Sequence, residues 1–179
     1  MIRPSPWPEL ARLARFVRAA DSLTDTLSTW TGRGIRVEIL HRTDDVCPDP
    51  LVADALALPD GSCVQDREVR MWCGDVVLAT ARSWVAASSP ALTPRVRLDL
   101  RTDAALGDLL RPLHRRRVAV RVAPLQERPG GDPSTPVLGV SARLDVGGTP
   151  VAWCEETILE AVFTDGGRRA PLHRVRVAA

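Results

Sequence analysis

The chain contains no lysine, and all 24 of its positive charges are arginine. That absence excludes a lysine Schiff base, whether with pyridoxal phosphate or with a substrate carbonyl. It also excludes a P-loop, which needs its Gly-Lys-Ser/Thr. Metal-ligating residues are sparse: His41, His114 and His173 are scattered, and Cys47, Cys63, Cys73 and Cys154 form no CxxC pair. Neither a zinc site nor a disulfide framework is expected, and free thiols in a reducing compartment are the simpler reading. No apolar run approaches the roughly 20 residues that cross a bilayer. The N-terminal MIRPSPWPELARLARFVRAA carries charges and prolines where a signal peptide needs an apolar core. A cytoplasmic chain with no membrane partner is the expectation. A net charge of +2 is too small to argue for nucleic acid.

What is present suits one globular domain over residues 1–179, 45% apolar and 26% charged, with residues 1–8 and 164–179 as flexible ends. Leu10, Leu13, Ala14 and Val17 recur at helical spacing, and Asp21 or Ser22 can cap a second helix that ends at Gly32 or Gly34. Ile35 to Leu40 alternates like a strand with one wet face. Asp44 to Pro59 reads as a loop with one helical turn. Glu68 to Trp72 and Val76 to Trp84 form a hairpin about Cys73-Gly74-Asp75. Val96 to Leu100 reads as a short extended segment, followed by a helix from Ala104 to Leu110 capped by Asp103. His114 to Ala123 alternates as a strand with Val118, Val120 and Val122 on one side, and Arg115 to Arg117 reads as its solvated end. Glu127 to Pro136 reads as a long mobile loop. Val137 to Val146 and Pro150 to Leu159 form a second hairpin about Gly147-Gly148. Helices first and antiparallel strands after argue an α+β fold with a single antiparallel sheet of about six strands and helices covering one face.

An ordered set of motifs carries a resemblance. Arg67-Glu68-Val69, a short turn and Ala81-Arg82-Ser83 resemble the central hairpin of the chorismate pyruvate-lyase family. In the same order come Ser22-Leu23-Thr24 with Leu27 and a Gly-rich turn, Leu106-Gly107 opening a short helix, and Gly148-Thr149-Pro150 leading into a strand that carries Glu155. The resemblance spans Leu13 to Leu159. It implies a cofactor-free elimination that turns chorismate into 4-hydroxybenzoate and pyruvate, a first step towards ubiquinone or another product of 4-hydroxybenzoate, in a monomer without metal or nucleic acid.

In that reading Arg67 binds the ring carboxylate, and Arg82 faces the interior near the product. Leu23 and Leu106 supply apolar walls and backbone amides. Glu155 hydrogen-bonds the ring hydroxyl. Neighbours on a strand point to opposite faces, so only one of Glu155 and Glu156 can face a cavity. Counting from Gly148-Thr149-Pro150 without a gap favours Glu155, and a one-residue bulge would hand the role to Glu156. The alternative is a non-catalytic domain that binds a small aromatic acid, similar to the effector-binding domains of bacterial transcription regulators that share the fold. The residues ahead of Ser22 are too few for the winged helix such regulators carry.

Overall fold

The computed structural model describes residues 7–128 and 130–164. The expected flexible ends at residues 1–6 and from 165 onward lie outside the described residues, whereas Trp7 is buried with its ring 4.5 Å from that of Phe163.

Six antiparallel strands form one sheet in the order β1-β2-β3-β6-β5-β4: β1 (Arg36–Val46), β2 (Val64–Cys73), β3 (Val76–Val85), β4 (Arg116–Pro124), β5 (Pro136–Val146) and β6 (Thr149–Leu159). The β2–β3 turn uses Gly74 at φ +59°, and the β5–β6 turn uses Gly147 and Gly148, both at positive φ. A side chain at these positions would be strained, so the glycines set the hairpin registers.

Helix α1 (Pro8–Ala19) buries Leu10, Leu13 and Val17, as their spacing requires. Helix α2 (Leu23–Thr31) begins at Ser22, whose hydroxyl accepts from the Asp25 amide at 3.2 Å, and ends at Gly32 with φ +69°. Both pack on the inner face of the sheet in one apolar cluster with Leu78, Ala81, Leu138 and Ile158. A second cluster joins Leu92, Val96, Leu100 and Leu110 to Val85, Leu144, Ala152 and Cys154. It includes α4 (Pro94–Asp99) and α5 (Leu106–Leu110). Helix α3 (Pro50–Ala55) covers Trp84 and Trp153, which by strand alternation lie on the outer face.

Two expectations are revised here. The segment from Val96 is helical, because the Thr93 hydroxyl accepts from the Val96 amide and Pro94 supplies a preset first-turn φ. Val118, Val120 and Val122 do not share one side: the β4–β5 register shifts between Ala119 and Arg121, which leaves Val120 59% exposed while Val122 is buried.

The loop before β5, expected to be mobile, is held by one carboxylate. Gly130 and Gly131 donate their amides to Glu160 Oε2 and Oε1 at 2.9 and 2.7 Å, and Glu160 N and Ala161 N donate to the carbonyls of Thr135 and Pro133. Glu160 is buried. Glu160→Ala leaves two amides without their acceptor and is expected to cost about 1–3 kcal/mol in urea unfolding, with faster amide exchange over residues 130–136. Unchanged exchange there would show that the carboxylate does not hold the loop.

Candidate functional site

A cavity opens on the inner face where the two apolar clusters meet. From the first come Leu23 and Met71, and from the second Leu144 and Cys154, with Leu106 beside them. Its volume is about 80 Å³, room for several water-sized groups when one water needs about 10–15 Å³. Three arginines reach it: Arg67 from β2, Arg117 from β4 and Arg115 just before β4. Glu156 and Asp21 are the acids on its lining.

Arg67 is 1% exposed. Its Nη1 donates to Gln65 Oε1 at 3.3 Å and to the Leu100 carbonyl at 3.2 Å, and its Nη2 donates to the Ala104 carbonyl at 2.6 Å. These acceptors are neutral. Among the described residues no carboxylate forms an ion pair with it, and its Nε has no hydrogen-bond partner. Burial pushes its pKa down, and Arg42 adds repulsion. A buried cation that no carboxylate contacts among the described residues, with Asp103 and Asp44 acting on it only through space, costs stability until an anion reaches it.

Arg117 and Glu156 form a buried ion pair, with Nη2 at 2.5 Å from Oε2. Arg117 Nη1 also donates to the carbonyls of Val17 and Ala20 at 3.1 and 3.3 Å, at the end of α1, where Val17 O also accepts the Ala20 amide. Burial pushes the Glu156 pKa up, and Arg117 opposes it. Cys154 beside the pair is pushed up to about 12, first by burial and then by Glu156, so its thiol keeps its proton. Because folded Glu156 holds a proton that the unfolded chain has lost, stability falls as pH rises from glutamate's ordinary 4.5 towards the raised folded value. Glu156→Gln removes the charge and should flatten that slope. Melting curves of both proteins between about pH 4 and about pH 7 measure it, and equal slopes would count against the account.

The structure brings Arg67, Leu23 and Leu106 to the cavity and leaves Arg82 and Glu155 outside it. Arg67 pairs with Ser83 and Glu68 with Arg82, so the two arginines are offset by one residue across the hairpin. One residue of register reverses the face. Arg82 therefore lies on the outer face, where its Nε and Nη2 chelate Asp66 at 3.0 and 2.6 Å and its guanidinium stacks 4.8 Å over Trp84. That carboxylate occupies the fork that a ligand would need and raises the arginine's pKa.

Glu155 lies opposite Arg82 on the same outer face. The cause is a register shift near the start of β6, where Asp145 pairs with Pro150 but Leu144 with Ala152. The extra residue, Val151, hands the inner position to Glu156. Arg117, expected at a solvated strand end, is buried, because it alternates inward with Ala119 on the face that carries Glu156. Among the described residues, no three His, Cys, Asp or Glu side chains gather closely enough to hold a metal ion, and no helix is long and apolar enough to cross a membrane.

This architecture is an α+β, chorismate lyase-like fold, and it is also that of effector domains of bacterial transcriptional regulators. The effector domain of PhnF from Mycobacterium smegmatis superposes with a TM-score of 0.59 at 16% identity, over 79% of this chain and 90% of that one. Against the whole PhnF structure the TM-score is also 0.59 at 16% identity, over 80% of this chain but only 65% of that one. The ligand-binding domain of a protein assigned to the GntR family of transcriptional regulators, from Bordetella bronchiseptica, gives 0.51 at 18% identity, over 70% and 86%. At these identities the likeness shows the fold. No protein-family model matches the chain, and no curated protein does.

These findings correct the expectation of an enzyme. The similar solved structures are regulator domains rather than lyases, and Glu155, assigned to the ring hydroxyl, is outside the cavity. The chorismate pyruvate-lyase activity and its place in ubiquinone biosynthesis are therefore withdrawn. The expectation of no nucleic-acid partner likewise finds no support in neighbours that are transcriptional regulators.

Proposed function

We propose that the chain is a non-catalytic binding domain for a small organic anion, serving as the effector domain of a transcriptional regulator. The observation that carries this reading is Arg67: a buried guanidinium with no carboxylate partner among the described residues and an unfilled Nε donor, on the wall of an apolar cavity. An anion there gains charge-assisted hydrogen bonds from a guanidinium that is itself 1% exposed. Leu23, Leu106 and Met71 wall the apolar part of the ligand. The first-turn amides of α2, at Leu23 and Thr24, lie beside the cavity and have no partner within their own helix. The printed names of the similar structures, an effector domain and a ligand-binding domain, support the binding role.

The test is titration calorimetry of the wild-type protein with benzoate, a flat monoacid that matches an arginine in an apolar setting. A saturable isotherm with one site per chain is expected. The absence of saturable heat for benzoate and for other small organic acids would overturn the reading.

A further inference from the structure

Besides Arg67 and the paired Arg117, the cavity is lined by a third arginine, Arg115. Arg115 lines the cavity beside Gly107, its Nη2 3.4 Å from where a Cβ on Gly107 would stand, an ordinary contact distance. Arg115 is half-buried, and among the described residues no hydrogen bond or ion pair holds it. Asp25, Asp108 and Asp21 act on it only through space, and burial with the nearby Arg111 lowers its pKa. Asp21 is exposed at the rim, where water and salt screen it.

Arg67 and Arg115 approach from either side of three neighbouring strands. β3, β6 and β5 lie between β2, which carries Arg67, and β4, which Arg115 precedes. The lining between them is Met71, Ala81, Leu144 and Cys154 together with Glu156, whose carboxylate is already engaged by Arg117. The Arg117–Glu156 pair leaves no net charge there, whereas Arg67 and Arg115 line the cavity with no carboxylate ion-pair partner among the described residues.

We infer that the cavity takes a diacid: a small apolar spacer carrying two anionic groups, one held by Arg67 and the other by Arg115. The inference rests on the binding reading above and narrows it to a ligand class. A monoacid satisfies one guanidinium and leaves the other unpaired. A diacid of the right span gains a second charge-assisted contact, so it binds more tightly than the matching monoacid.

The test compares benzoate with terephthalate and isophthalate, which add a second carboxylate to the same ring, by calorimetry at constant ionic strength near neutral pH. One of the two diacids is expected to bind the wild type at least about tenfold more tightly than benzoate. In Arg115→Gln that preference should collapse to within about twofold, with the folded state confirmed by its melting transition. Benzoate binding as tightly as both diacids would overturn the inference and leave the binding reading standing. So would a diacid preference that survives Arg115→Gln. If none of the three binds, the binding reading fails as well.

Discussion

Arg117→Ala is expected to destabilise the fold by about 3–5 kcal/mol, the range for removing one partner of a buried ion pair. The substitution strands the buried Glu156 carboxylate and withdraws the donor shared by the Val17 and Ala20 carbonyls at the end of α1. The loss should shrink as pH falls, because a protonated Glu156 no longer carries a buried charge. Replacing both partners, Arg117→Met with Glu156→Leu, should recover most of it, since apolar residues of similar volume avoid the desolvation cost of two ions. Urea unfolding of wild type, single and double variants measures all three. A single variant within about 1 kcal/mol of wild type would show that the pair does not hold α1 to the sheet.

Arg67→Met is expected to weaken binding of a small organic anion by about 2–5 kcal/mol, or roughly thirtyfold to several thousandfold. The ligand-free protein should lose little stability, because methionine fills much of the same volume without a charge. Gln65 Oε1 and the Ala104 carbonyl lose a donor, but the Leu100 carbonyl keeps Gln65 Nε2 at 3.2 Å. Against those losses stands relief from burying a cation that, among the described residues, no carboxylate contacts and that Asp103 and Asp44 attract only through space. The pattern of a lost ligand with a retained fold separates a binding arginine from a structural one. Calorimetry with benzoate and a melting curve of the free variant read both halves. A variant that binds as wild type does, or that fails to fold, would assign Arg67 to structure.

The hairpins were legible because their signals are local. Gly74 and Gly147-Gly148 mark the turns, and alternation marks the strands, so the expected Val137 to Val146 and Pro150 to Leu159 fall within a residue of β5 and β6. The helix at Pro94 was misread although Thr93-Pro94 is a start signal. Its two buried anchors, Val96 and Leu100, are too few to display a helical period alone.

The faces of the strands were harder to read than their positions. An inserted residue at Val151 and a one-residue offset in the β2–β3 pairing reverse Glu155 and Arg82, and neither leaves a mark in composition. Arg117 looked solvated within a run of three arginines because its partner, Glu156, comes from a distant strand. Inward alternation with Ala119 was the available signal. The resemblance located the fold, and it named Arg67, Leu23 and Leu106, which the structure brings to one cavity. It could not locate the activity, because one fold carries both catalytic and purely binding sites.

Arginine side-chain NMR reads the proposed contact itself, by following the Arg67 Nε–H, a donor without a partner among the described residues, during a benzoate titration. The Arg67→Met spectrum assigns the resonance. A saturable downfield shift is expected at that resonance as the anion supplies the missing acceptor, with Arg82, already chelated by Asp66 on the outer face, unmoved. A titration that shifts Arg82 while leaving Arg67 in place, or that moves neither, would contradict an anion contact at Arg67.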